Sequence, residues 1–219
     1  MQEALSAAIG QGTASGGPTG YVLVLPPGWR QVPVRAGTRE AIREIVRDRF
    51  RVRPGHLPRD ALTPYRIALE QQLTAAAAQA RQRGGTELYL PVEPVRGTLI
   101  AASFVVSEGS IGARDEHDAA LIVAALGGDG SGLLLDGVRA ARIERIAPPD
   151  PARGAERGSR HVDYAVPVPA SDGRWLVFAF SALSAGDPGD KLAGNLVELF
   201  DAIMSTFRWT WSRARESPT

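Results

Sequence analysis

The chain has 219 residues, no cysteine, and 25 basic against 24 acidic side chains for a net charge of +1. That balance excludes disulfides and thiolate metal centres outright, and it lacks the basic excess with which nucleic-acid-binding domains hold a phosphate backbone. No stretch reaches the roughly 18 apolar residues of a membrane span.

The N-terminal residues 1–20 are rich in Gly, Ser, Thr and Ala and read as a flexible segment. Without a basic start or a long apolar run they lack a secretory signal. With the missing cysteines, this points to a reducing, cytoplasmic setting. A single domain is expected over 21–211, followed by a frayed tail at 212–219. YVLVL (21–25) is β-rich and is closed by Pro26-Pro27-Gly28 before Trp29. TREAIREIVRDRF (38–50) is predicted as a helix with Thr38 at its cap. Ala41, Ile42, Ile45, Val46 and Phe50 form its apolar stripe, and Arg53-Pro54-Gly55 ends it. A second helix starts at Thr63-Pro64, Thr as cap and Pro in the first turn. Its stripe is Tyr65, Leu69, Leu73, Ala76 and Ala80, and it stops at Gly84-Gly85.

Two strands follow, 86–92 and 97–109, the second apolar enough to lie in a sheet interior. RDEHDAALIVAALGG (114–128) reads as a helix from its acidic start, although LIVAAL alone also suits a strand. GDGSG (128–132) reads as a loop. Residues 133–146 form a hairpin turning at Asp136-Gly137, and 147–158 an irregular loop. A second hairpin joins 161–169 to 174–183, the latter central because nearly every position is apolar. A third helix spans about 188–207, with Leu192, Leu196, Leu199, Ile203 and Phe207 on one face and Phe200 beside it. Arg208 to Trp211 forms a short edge strand or caps the core. The element order predicts an α+β fold, a mostly antiparallel sheet with helices on its faces.

Two segments are distinctive together: YVLVLPPGW (21–29), and VDYAVPVPASDGRWLVFAFSAL (162–183) followed by LVELFDAIMSTFRW (196–209). This layout resembles the PsbP-like α/β/α sandwich superfamily, nearest to its uncharacterised actinobacterial members. The resemblance implies helical layers on both sides of an antiparallel sheet and no shared catalytic machinery. It also implies action through surfaces, since the group includes a photosystem accessory protein, a binder of a nuclear-transport GTPase, lipoproteins and secretion adaptors. Gly28, Trp29, Trp175 and Trp209 would carry over as structural residues.

Chemistry-bearing combinations are few. Arg114-Asp115-Glu116-His117-Asp118 offers carboxylates and an imidazole, but consecutive helical residues diverge, so a charged helix start is the simpler reading. His161 and Asp163 share a strand face and are expected as a solvent-facing pair; His56 stands alone in a loop. No nucleophile elbow, Walker loop or dinucleotide fingerprint is present. No catalytic residue, metal site or cofactor is therefore expected. The leading expectation is a non-catalytic binding or adaptor module for another protein, with Trp209 and Trp211 as a partner anchor. The alternative is a small-ligand binder or enzyme with a pocket between sheet and helix, using Tyr65, Arg66, Glu93, Arg114 and His117. Self-assembly into a homo-oligomer is the third.

Overall fold

The computed structural model describes residues 16–51, 62–94, 100–110, 131–149, 157–171, 173–183 and 191–212. A seven-stranded antiparallel sheet runs in the order β2(Trp29–Pro33), β3(Gly85–Pro91), β4(Ala102–Ser110), β8(Arg174–Leu183), β7(Ser159–Pro167), β6(Val138–Ala147), β5(Ser131–Leu135). A separate ribbon pairs β1(Gly20–Val22) with β9(Arg208–Thr210). Three helices, α1(Thr38–Arg49), α2(Thr63–Gln82) and α3(Lys191–Ser205), complete the α+β fold.

The helices divide between the two sheet faces, as period-2 alternation along the strands requires. Phe104, Val106, Val162, Tyr164, Phe178 and Phe180 point to α3 and meet Phe200, Ile203 and Met204. Val32, Leu88 and Val105 point the other way, against Ile42, Ile45 and Val46 of α1 and Leu73, Ala77 and Ala80 of α2. Five phenylalanines, at 104, 178, 180, 200 and 207, are fully buried, each contributing about 1.5–3 kcal/mol from apolar burial. The central place expected for 174–183 holds, since β8 is the fourth of seven strands.

Several local expectations are corrected. Gly37, left-handed at φ 74°, is the α1 cap rather than Thr38; the Thr38 hydroxyl instead accepts from Arg81 at 3.3 Å. Leu62, not Thr63, precedes α2, with Pro64 in the first turn as expected. On α3 the buried face is Ala193, Leu196, Val197, Phe200, Ile203 and Met204. It turns about Phe200 and leaves Leu192 exposed. β1 stops at Val22 because β9 offers only three residues to pair with. β2 falls where no strand was predicted. β5 begins at Ser131, inside the expected loop, where Ser131 and Gly132 pair with Arg142 and Ala141. The Asp136-Gly137 turn has φ of 47° and 81°, positive at both positions as a type I′ hairpin demands. The expected helix at 114–126, His56, the helix stop at 53–55 and the 213–219 tail lie outside the described residues.

Gly85 sets how α2 meets the sheet. A Cβ there would sit 2.6 Å from Val105 Cγ1 and 2.8 Å from the Ala80 carbonyl oxygen, so only glycine lets the end of α2 come this close. Arg81 completes the attachment, its Nε donating to the Val34 carbonyl at 2.7 Å.

Candidate functional site

A cavity of about 180 Å³ lies between the C-terminal half of α2 and the strands β3, β4, β8 and β7. Its floor follows from register. Ser103 on β4 lies opposite Ser181 on β8, Ser181 opposite His161 on β7, and His161 opposite Arg145 on β6. Four polar side chains thus form one row across four strands on a single face. Asp163, one row further along, is 6% exposed and ion-paired to Arg145. Gln79 and Arg83 line the cavity from α2. The alanines of that helix, Ala76 and Ala80, leave the space open where longer side chains would close it.

The electrostatics follow from burial and neighbours. His161 is held below the usual histidine range, chiefly by burial, with the Arg145 and Arg83 charges adding to the effect and Asp163 opposing it. Burial pushes the Asp163 carboxyl above its ordinary value against the pull of Arg145. Ser159 Oγ and His161 Nε2 are hydrogen-bonded at 2.8 Å. The side chains of Gln79, Ser103 and Ser181 make no hydrogen bond among the described residues, and Arg83 has no acidic partner among them.

The polar groups on the opposite face are engaged. Arg142 grips Asp201 at 3.0 and 2.9 Å and Glu144 at 2.9 Å. Arg160 pairs with Glu144, and the Tyr164 hydroxyl donates to Asp201 at 2.7 Å. Deeper in, the Tyr21 and Tyr89 hydroxyls both donate to Glu87, Tyr89 at 2.7 Å.

Of the residues singled out from sequence, the described ones, Tyr65, Arg66 and Glu93, do not line this cavity. Tyr65 is exposed on the first turn of α2. Arg66 lines a shallow surface cleft with Arg47, Phe50 and Arg51. Glu93 is paired with Arg30 at 3.6 Å on the surface after β3. Arg114 and His117 lie outside the described residues. Trp209 is buried at 7% exposure, while Trp211, just beyond β9, is 45% exposed, so of the two only Trp211 is open at the surface. His161 and Asp163 do share a face, but burial of Asp163 replaces the expected solvent-facing pair. Among the described residues no three His, Asp or Glu side chains are grouped to hold a metal, and no helix is long and apolar enough to cross a membrane.

No family model and no curated protein matches the chain. Among solved structures it is similar to LpqN of Mycobacterium tuberculosis, described as involved in cell envelope biogenesis. That likeness has 13% identity and a TM-score of 0.46, over 91% of this chain and 87% of that one. It is also similar to a protein of Bacteroides thetaiotaomicron VPI-5482, at 8% identity and a TM-score of 0.42, over 91% of this chain. The match covers 47% of the Bacteroides chain, so this protein spans about half its length.

Proposed function

We propose that the chain is a non-catalytic binding module whose small ligand occupies the cavity between α2 and the sheet. The observation that supports it is the Ser103–Ser181–His161 row, whose two hydroxyls face a space and have no hydrogen-bond partner among the described residues. Half-buried polar groups usually find partners, and groups left open around a concavity are suited to orient a bound molecule. Nucleophilic catalysis lacks support: Ser159 and His161 are bonded, but Arg145 engages the Asp163 carboxylate that would have to orient the imidazole. Thermal unfolding with small acids, polyols and amines tests the reading, comparing the wild type with Ser181→Leu, which fills the cavity. At least one class should raise the wild-type Tm and leave the variant unmoved. A flat wild-type response, or equal shifts in both proteins, overturns it.

A protein partner is the second reading, favoured by exposed Val22, Val24 and Trp211 along and beside the β1–β9 ribbon. It suits an adaptor of the PsbP-like sandwich group working in the cytoplasm, and the layering of helices on both sheet faces supports that kinship. Sedimentation over a concentration series tests its self-associating form. The wild type should dimerise and Trp211→Ala should remain monomeric.

A further inference from the structure

Building on the ligand-binding reading, we propose that the cavity beneath α2 takes a small organic anion, its carboxylate or phosphate group drawn by Arg83 and received by the hydroxyls of Ser103 and Ser181.

Charge bookkeeping at the cavity gives the sign. Its one carboxylate, Asp163, is already neutralised by Arg145 across the strands. The guanidinium of Arg83, at the α2 terminus, has no acidic partner among the described residues, so the described lining carries one unbalanced positive charge. That charge reaches into the cavity, since it is one of the influences that disfavour protonation of His161, after burial itself and the charge of Arg145. A cation would meet the same field with the opposite sign, and among the described lining residues the one carboxylate is buried and paired with Arg145.

The carbonyl end of a helix ordinarily repels anions. Here those carbonyls are taken: Arg83 N–H donates to Gln79 O and Ala80 O at 3.3 and 3.2 Å, and Gly84 N–H donates to Arg81 O at 3.0 Å. The hydroxyls of Ser103 and Ser181 on the sheet, and the amide of Gln79 one turn before Arg83 on α2, supply neutral donors. An arginine with neighbouring hydroxyls matches the planar, multi-acceptor face of a carboxylate or phosphate. Size sets the other limit. About 180 Å³ equals roughly six water volumes of about 30 Å³ each, enough for a short-chain acid or a phosphate head group.

The test is an NMR titration of the full chain at fixed ionic strength, following the His161 ring signals assigned with His161→Gln. Acetate and inorganic phosphate are the anionic probes, glycerol the neutral probe and methylammonium the cationic one. At least one anion should shift the His161 signals saturably, and which one does so separates a carboxylate from a phosphate site. Arg83→Gln should weaken that binding about tenfold or more without moving the Tm, because Arg83 is exposed. Arg83→Lys should retain most of it. Saturation by glycerol or methylammonium with both anions silent overturns the anion assignment and leaves the binding reading standing. Silence of all four probes removes both. Undiminished anion binding by Arg83→Gln overturns the role of Arg83.

Discussion

The two faces of the seven-stranded sheet solve opposite problems. Against α3 the sheet presents aromatic rings, with Phe180 stacked on Phe200 at 4.7 Å, Tyr89 on Phe104 at 4.4 Å, and Tyr164 edge-on to Phe200 at 5.5 Å. The ionic groups there are engaged, Arg142, Glu144 and Asp201 with one another and Glu87 with two tyrosine hydroxyls. Against α2 the same strands present serines, a histidine and small apolar groups to a helix rich in alanine. Interdigitated rings fill volume and exclude water; small side chains beside hydroxyls leave volume and keep polar groups within it. Both sides hold an apolar core, but only beneath α2 do small and polar side chains line a cavity, the site proposed for a ligand.

Substitutions can break or sharpen that contrast. The largest effect should come from Phe200→Ala at the centre of the ring cluster, a loss of about 3–5 kcal/mol measured by urea unfolding. A loss below about 1 kcal/mol would end the claim that this face carries the stability. Gly85→Ala forces the α2 terminus off β4 and should cost about 1–3 kcal/mol in the same assay. Trp209→Phe should cost less than about 1 kcal/mol, because the buried indole N–H has no hydrogen-bond partner and its removal offsets part of the lost packing.

The smallest effects are pH slopes on the cavity face. Asp163 has a folded value raised by burial, so the folded chain binds its proton more readily than the unfolded chain. Wild-type stability should rise relative to Asp163→Asn as pH falls toward 3.8. His161 has a folded value lowered by burial, so the folded chain resists its proton. Stability should fall as pH drops below about 6.5, and His161→Gln should flatten that slope. Denaturation midpoints at several pH values read both signs.

Local pattern made much of the architecture readable. The stripe Ile42, Ile45, Val46 predicts α1 and is its buried face; Asp136-Gly137 predicts a hairpin and makes one. β2 escaped because WRQVP is five residues long and ends on proline, which local propensity scores as turn. The α3 stripe holds at Leu196, Ile203 and Phe207 and fails at Leu192, because i, i+3, i+4 spacing admits two overlapping faces, and Phe200 decides between them by bulk. The cavity was the least legible part. Period-2 alternation put His161 and Asp163 on one side, but whether that side faced water depended on Ser103, Ser181 and Arg145 arriving by strand pairing. Tyr65, Arg66 and Glu93 are suggested by residue type alone, and type without register does not make a site.

The pairing of β4 with β8 joins Ala102 to Ala182 and Ser110 to Arg174 at the middle of the sheet. A ribosome must therefore emit some seventy further residues after β4 before the edge of that strand not paired with β3 meets its permanent neighbour. Until then β4 is a bare apolar margin in the nascent chain, open to unwanted pairing. Closing a ladder over so long a loop adds an entropic cost, and within the seven-stranded sheet β4 is the strand that waits longest for its second partner.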